Sequence, residues 1–295
     1  MIDTHITPRR IDFLRLLTRT GFASTRHLAE SGLIKNATTY SQSAFYKPML
    51  DQLLIGRMMI LSPYGIGKRV MYYLTKKGAQ FVADADGLDL DNLRYFALKG
   101  GIVNAASTGA EEGLIRADFP HKEAYVSALI AFERYLESTE YQITEYQHYY
   151  DRKMGSTSIE IGGRRFRPDG LMVVDPIVPS RPSYAFIVEL HRHSDRKKIV
   201  QQLKRHVDAF KQKGFADKFG QGKPHFVLSI YAAENVVAMQ QVIDTLKQDP
   251  ETWPYIERFF MFAELDALRN DFYEACIYFG GSKKPLPPTT RKDYP

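Results

Sequence analysis

The sequence has few of the features that mark secreted, zinc-stabilised or membrane-spanning proteins. It contains a single cysteine, Cys276, so it can form no internal disulfide and has no CxxC pair for structural zinc. No apolar run approaches the roughly 18 to 20 residues of a spanning helix, and the start MIDTHITPRR lacks the hydrophobic segment of a signal peptide. We therefore expect a cytoplasmic protein without membrane insertion, in which Cys276 is a buried small hydrophobic residue.

The overall composition is that of a folded chain. Apolar residues make up 44% and charged residues 25% of the 295 positions, close to the average of globular proteins. This length favours one large or two modest domains. No internal repeat of a fixed period is visible.

The net charge of +6 is distributed unevenly along the chain. Residues 1–82 and residues 161–223 each carry a net charge of +8, whereas residues 83–160 carry −7 and residues 224–295 carry −3. Two basic segments flanking an acidic one are typical of a protein with two surfaces for a polyanion. A solvated basic face is the alternative interpretation.

The first 82 residues have the pattern of three helices followed by a hairpin. Apolar residues recur at helical spacing through PRRIDFLRLLTRT, and Gly21 follows as a stop signal. A second short helix is predicted from Ser24 to Ser31, capped by Ser24, and a third is predicted to begin near Thr38 or Thr39. The runs MMIL and VMYYLT flank the turn SPYGIGK. This order predicts a winged-helix DNA-binding domain over residues 1–82.

In a winged helix, the third helix enters the major groove and the hairpin tip reaches the phosphate backbone or the minor groove. Pro48 lies inside the third helix and is expected to kink it or to mark a new start. A winged helix used for protein contacts is the alternative. The predicted DNA-binding residues are Ser41, Gln42, Ser43 and Lys47 on the helix and Lys68 and Arg69 on the hairpin.

The rest of the chain is predicted to contain a linker, a second domain and a tail. Residues 83–118, rich in glycine and small polar residues, predict a linker or connecting subdomain. Residues 119–280 show a helix, three strands, a helix, a strand, a helix and a strand, which predicts an α/β core with a mixed sheet. Residues 281–295 are Pro-rich and predict an extended or disordered tail.

Acidic residues stand at two strand ends within this second domain. Pro168-Asp169 lies on one strand, and Glu189-Leu190-His191 ends the next. With the element order, these residues resemble the signature of the PD-(D/E)XK restriction-endonuclease-like fold. The resemblance implies a metal site, formed by Asp169, Glu189 and His191, for Mg²⁺ or Mn²⁺. Hard carboxylate ligands suit such an ion, which polarises a phosphoryl oxygen and activates water.

Strand alternation places Glu189 and His191 on one face together with Ile187. His191 stands where the fold normally has a lysine, and it can ligate a metal or move a proton near neutral pH. Lys204 or Arg205, on the following helix, is the candidate for the missing positive charge. The alternative is a degenerate nuclease fold retained for DNA or protein binding.

A second resemblance joins both halves of the chain. The phrase YxLTxxGA at residues 72–79, a helix led by His121, the RPD strand and a basic helix are similar to the plasmid replication-relaxation family, whose relatives include the MOBC-class relaxases. The resemblance covers most of residues 8–212. In this sequence His191 replaces an acidic residue, and HSD replaces a glycine-containing turn.

The resemblance implies site-specific nicking of plasmid DNA in mobilisation or replication initiation, with His121 or His191 assisting the attacking or leaving oxygen. Double-stranded DNA, locally single-stranded at the nick, is the implied partner, together with conjugation or replication proteins. Tyr146, Tyr149 and Tyr150 could supply a nucleophile or pack in a sheet, as aromatic residues often do. The rival functions are a non-catalytic regulator and a conjugation accessory protein.

Overall fold

The computed structural model describes residues 6–34, 39–61, 68–96, 101–103, 118–150, 157–179, 181–219, 222–232 and 235–289. The chain divides into two compact units, residues 1–126 and residues 127–295. The division falls within the helix Phe119–Leu136.

The first unit combines short helices with a small sheet of four strands in the order β1-β3-β2-β4. Strand β3 is antiparallel to both β1 and β2, and β4 is parallel to β2. The elements are α1 (Pro8–Thr20), β1 (Phe22–Ser24), α2 (Thr25–Glu30), α3 (Thr39–Asp51), β2 (Ile55–Leu61), β3 (Lys68–Leu74), α4 (Lys76–Asp86), a 3-10 turn (Leu90–Asn92) and β4 (Gly101–Val103).

Helix α1 begins and ends where its sequence indicates. Pro8 occupies the first helical position, where its missing N–H costs no hydrogen bond. Gly21 follows the last turn with a φ of 77° and donates its N–H to Leu17 O at 2.8 Å. Phe13, Leu14 and Leu17 of its apolar stripe are fully buried. The predicted short helix appears as α2, and the backbone N–H of Ser24 donates to His27 Nδ1 at 3.0 Å.

Helix α3 continues through Pro48 instead of starting again there. A proline has no N–H to donate to the carbonyl four residues earlier, which here belongs to Ala44. The guanidinium of Arg10 replaces that donor: Nη2 donates to Ala44 O at 3.3 Å and Nε donates to Phe45 O at 3.1 Å. A side chain from α1 therefore satisfies the carbonyl that Pro48 leaves unpaired.

The phrase YxLTxxGA has a structural explanation in the junction of β3 and α4. Thr75 is the N-cap of α4, and its Oγ1 accepts from Gly78 N at 3.0 Å. The same hydroxyl lies 2.9 Å from Leu54 O, to which it donates. Tyr73 pairs with Gly56 across the hairpin, and its ring occupies the space that a side chain at Gly56 would need. The motif therefore forms a tightly packed connection between β3 and α4.

The second unit is built around a mixed sheet of six strands in the order β12-β11-β10-β9-β8-β5. Strands β5, β8 and β9 are antiparallel neighbours, β9, β10 and β11 are parallel, and β12 is antiparallel to β11. The strands are β5 (Tyr141–His148), β6 (Ile159–Ile161), β7 (Arg164–Phe166), β8 (Gly170–Pro176), β9 (Tyr184–His191), β10 (His225–Tyr231), β11 (Phe260–Glu264) and β12 (Ile277–Tyr278); β6 and β7 form a separate hairpin. Helix α5 (Phe119–Leu136) belongs to this unit from residue 127 onward. The other helices are α6 (Arg196–Lys211), α7 (Gly214–Phe219), α8 (Val236–Lys247), α9 (Trp253–Phe259), α10 (Leu265–Asn270) and α11 (Phe272–Ala275).

Both faces of this sheet are covered. On one face, Ile187 of β9 belongs to a buried cluster with Leu203 of α6 and Val242 of α8. On the other face, Phe186 of β9 meets Phe132 of α5 with ring centroids 5.1 Å apart. Alternation along β9 thus sends successive side chains to opposite layers. The predicted combination of helices with a mixed sheet is confirmed.

The start of the C-terminal segment is packed against the second unit. Tyr135 OH donates to Pro287 O, and Leu286 is buried. Thr289 forms an isolated bridge with Thr139. Prolines at 285, 287 and 288 keep this segment extended, and apolar contacts hold it in place. Residues 290–295 lie outside the described residues.

Across the described ranges we find no helix with the length and apolar character needed to cross a bilayer. Cys276 is buried, as the sequence indicates, and burial raises the pKa of its thiol to about 12.

Candidate functional site

The two carboxylates of the sequence signature lie at adjoining strand ends. Asp169 immediately precedes β8, and Glu189 lies near the end of β9. The backbone N–H of Asp169 donates to Val188 O at 3.1 Å, and the N–H of Leu190 donates to Asp169 Oδ2 at 2.8 Å. The residues on both sides of Glu189 therefore hold Asp169 in place through the main chain.

Glu189 is fully buried and contacts the helix that covers its face of the sheet. Its Oε1 lies 2.7 Å from His206 Nε2, and its Oε2 accepts from Gln202 Nε2. Burial raises the pKa of Glu189 well above its ordinary value, and the nearby charge of Asp169 raises it further. Gln202 acts in the opposite direction, because its N–H favours the carboxylate. Ionising Glu189 would therefore have a free-energy cost that a nearby positive charge would offset.

His206 is buried among aromatic rings beside Glu189. The ring of Phe166 lies edge-on at 4.5 Å between centroids, and the ring of Phe215 is stacked at 5.8 Å. Burial lowers the pKa of His206 well below its ordinary value, and the proximity of His191 lowers it further. Although His206 and Glu189 have the geometry of an ion pair, burial disfavours the charge on both. We therefore assign a net neutral pair that shares one proton across the hydrogen bond.

This shared proton predicts how stability depends on pH. Above the ordinary histidine pKa of 6.5, the unfolded glutamate and histidine together hold one proton fewer than the folded pair. Folding then takes up a proton, so the free energy of unfolding falls by about 1.4 kcal/mol per pH unit, up to the raised pKa of Glu189. Between the ordinary pKa values of 4.5 and 6.5 the proton counts are equal and this contribution is flat.

Replacing Glu189 with glutamine should remove this decline, because an amide does not titrate. We expect denaturant unfolding at several pH values above 6.5 to give a shallower pH dependence for Glu189→Gln than for the wild type. Glu251→Gln, at an exposed glutamate of the same unit, is the control and should follow the wild type. Parallel curves for Glu189→Gln and the wild type would contradict the neutral pair.

His191 is buried at the end of β9 and is bonded to the neighbouring strand. Its Nε2 lies 3.0 Å from Ser229 Oγ, and its ring centroid is 4.7 Å from that of Tyr231. The backbone carbonyl of His191 accepts from Asn235 Nδ2 at 3.3 Å and from Ala232 N at 3.1 Å. Among the described residues there is no group of three His, Cys, Asp or Glu side chains with the spacing of a metal site.

The other predicted catalytic residues lie in different surroundings. Lys204 forms an ion pair with Asp249 at 2.6 Å and is 45% exposed, so its ammonium is directed to a surface partner. Arg205 is exposed on α6. His121 lies in the first turn of α5, in the first unit, and its backbone N–H donates to Asp118 O at 3.1 Å.

The predicted DNA-contacting residues fall on α3 and on β3. Ser43 is exposed on α3, and Lys47 forms an exposed ion pair with Asp51 at 2.5 Å. Ser41 and Gln42 belong to the helix, and Lys68 and Arg69 begin β3, but the side chains of all four lie outside the described residues, as does the hairpin tip at 62–67.

Sequence reasoning missed Gln202 and His206 as residues of the site. They are spaced four apart on α6, next to the apolar stripe of Ile199, Leu203 and Val207. Two polar residues at this spacing share a helix face with the positions beside a buried stripe. That pattern could have indicated a polar partner on the strand below.

No protein-family model, curated protein or solved structure matches this chain. Asp169 and Glu189 supply hard oxygen donors at adjoining strand ends, where the negative charge of Asp169 disfavours a second negative charge on Glu189. This donor set fits a hard divalent cation such as Mg²⁺ or Mn²⁺.

Proposed function

We propose that this chain is a DNA-binding protein of a plasmid or mobile element and that its second unit is a metal-dependent nickase or relaxase. The pairing of Asp169 and Glu189 carries the proposal. Asp169 is bonded to Val188 and Leu190, the two neighbours of Glu189 on the adjoining strand, and α6 covers Glu189. Phosphodiester cleavage needs carboxylates in such a position to hold a divalent metal ion.

The strand arrangement supports the proposal. A helix, three antiparallel strands, a second helix and a strand parallel to the third correspond to α5, β5-β8-β9, α6 and β10. This is the order that the resemblance to the PD-(D/E)XK fold implies. In the first unit, three helices and the sheet β1-β3-β2 are compatible with a winged helix that binds double-stranded DNA.

Asp169 and Glu189 are the proposed ligands of Mg²⁺ or Mn²⁺. When bound, the ion supplies Lewis acidity, which polarises a phosphoryl oxygen and lowers the pKa of an attacking water. Gln202 and His206 orient Glu189 from α6. We assign no catalytic role to Lys204, because Asp249 pairs with it. The proposed roles of His191 and His121 in assisting an oxygen stay predictions.

The start of α6 offers a phosphate-binding surface near this pair. Its first turn contains Arg196, Lys197 and Lys198, all exposed. Asp195 caps the helix and accepts from Lys198 N at 3.1 Å, so one carboxylate faces three cations that oppose the helix dipole. A DNA phosphate would pair with the remaining positive charge, which is a physical reason for basic residues at this position.

We therefore expect Arg196→Ala/Lys197→Ala to weaken DNA binding without destabilising the protein. Loss of two phosphate contacts should reduce the slope of log affinity against log salt by roughly 1.8. Removing positive charge from the helix start should leave the melting temperature unchanged or raise it. Lys283→Ala, at an exposed lysine elsewhere in the unit, is the control. An unchanged salt slope in the double variant would exclude this surface from DNA binding.

The test of the proposed function is a cleavage assay on supercoiled plasmid. Mg²⁺ or Mn²⁺ should convert it to the open circular form, and chelation or replacement by Ca²⁺ should stop the conversion. DNA binding with no conversion under any metal would reject the nickase.

The second candidate is a non-catalytic regulator or conjugation accessory protein with a degenerate nuclease fold. One observation favours it: Glu189 is fully buried, and both of its oxygens are already bonded to α6. Such a carboxylate could have a structural role only. The same assay separates the two candidates, because the regulator binds DNA without breaking it.

A further inference from the structure

The end of β5 brings Tyr149 beside Asp169. Strand β5 pairs with β8, with His148 opposite Gly170. Immediately beyond this pair, the backbone N–H of Tyr149 donates to Asp169 O at 3.0 Å. The main chain therefore fixes Tyr149 next to one carboxylate of the candidate site.

The aromatic rings at this strand end are arranged in a short stack. His148 is fully buried, and its ring lies parallel to that of Tyr150, with centroids 5.2 Å apart and an interplanar angle of 14°. Tyr149 meets Tyr150 edge-on, at 5.2 Å and 82°. Both tyrosines are half-buried. Tyr146, earlier on β5, donates its hydroxyl to Glu133 Oε1 at 2.6 Å.

A cation lies over the Tyr149 ring. The guanidinium carbon of Arg167 is 6.0 Å from the ring centroid, and Arg167 is exposed. Arg167 is also two residues before Asp169 along the chain. An aromatic ring with a guanidinium over one of its faces offers groups for the two parts of a nucleotide, a flat base and a phosphate.

We propose that Tyr149, supported by Tyr150 and His148, stacks on an unpaired nucleobase while Arg167 pairs with a phosphate of that strand. This inference rests on the proposed function and deepens it, because it assigns residues of this chain to the locally unpaired strand at the nick. In a duplex, neighbouring bases cover each base face, so a tyrosine ring can stack only on a base that has left the helix. The site therefore takes DNA that is single-stranded or opened beside the scissile phosphate.

The test compares the affinity of the full chain for a fluorescent single-stranded oligonucleotide and for its duplex, in Ca²⁺ so that nothing is cleaved. Tyr149→Ala should weaken single-strand binding about 5- to 140-fold. Duplex binding should change by less than about 3-fold, since the first unit supplies other phosphate contacts. Tyr149→Phe keeps the ring and should bind like the wild type.

Tyr255 provides a matched control, because it is half-buried in the same unit and has Lys211 over its ring at 5.3 Å. Tyr255→Ala should leave both affinities unchanged. Arg167→Gln tests the phosphate contact without removing a ring, and should reduce the salt slope of single-strand binding by about 0.7. It also keeps the proposal testable if Tyr149→Ala does not fold.

Single-strand affinity within about twofold of the wild type in both Tyr149→Ala and Arg167→Gln overturns the proposal. Equal losses in Tyr149→Phe and Tyr149→Ala also overturn it, because they assign the effect to the hydroxyl. Nicking that does not depend on the Tyr149 ring rejects the stacking role of Tyr149 and keeps the nickase proposal. Single-strand binding that depends on the ring, without nicking, keeps the stacking role and rejects the nickase proposal.

Discussion

Asp169→Asn is expected to reduce metal-dependent nicking of supercoiled plasmid by at least about 100-fold, while duplex affinity changes by less than about twofold. Neutralising Asp169 removes one of the two proposed metal ligands, and with it several kcal/mol of transition-state stabilisation. An asparagine oxygen can still accept the N–H of Leu190, so the strand end should keep its geometry. Initial nicking rates in Mg²⁺ or Mn²⁺ and fluorescence anisotropy in Ca²⁺ measure the two effects separately.

Asp175 provides the matched control for this experiment. It lies near the other end of β8 and accepts a hydrogen bond from Thr144 Oγ1 at 2.5 Å. Asp175→Asn changes the same charge on the same strand but at the opposite edge of the sheet, and it should nick DNA at the wild-type rate. Equal rates for Asp169→Asn and the wild type would falsify the nickase proposal and leave the regulator.

Gly78→Ala is expected to destabilise the first unit by about 3 kcal/mol, although alanine is the better helix former. A Cβ at Gly78 would lie 2.0 Å from Leu54 O and 2.8 Å from Leu74 Cδ1. The first of these is a backbone atom that cannot move away without disturbing β2 and its pairing with β3. Steric overlap should therefore exceed the gain of roughly 1 kcal/mol from helix propensity.

Scanning calorimetry should show the transition of the first unit lowered by roughly 10 °C in Gly78→Ala. Lys77→Ala, at the exposed neighbouring position of α4, is the control and should stay within about 0.5 kcal/mol of the wild type. A melting temperature above that of the wild type would mean that helix propensity outweighs the close approach to Leu54.

Much of the fold could be predicted because local rules act at particular residues. Pro8 and Gly21 bound α1 through the backbone freedoms of proline and glycine. The alternation of Phe186 and Ile187 places them in opposite layers of the second unit. Pro48 was expected to kink or restart α3, but the helix continues through it, because Arg10 of another helix supplies the missing donor to Ala44 O. Such compensation across the chain has no local pattern.

The sequence predicted part of the candidate site and missed another part. The position of Asp169 and Glu189 at adjoining strand ends was expected from the strand pattern and the resemblance. The partners of Glu189 were not, since Gln202 and His206 reach it only after α6 packs on the sheet. His191 was expected as a metal ligand and Lys204 as the source of the missing positive charge, and the structure shows them bonded to Ser229 and Asp249.

The sequence by itself determined the combination of helices with a mixed sheet and the buried faces of elements such as β9, because these depend on residue type and on spacings of two and about 3.6 residues. Only the tertiary structure decided the chemical state of the site. The neutral pairing of Glu189 with His206 and the stack beside Asp169 depend on burial and on contacts between distant segments. Burial shifts a pKa because it removes water from around the titratable group. The extent of that desolvation is fixed only when the helix packs against the sheet.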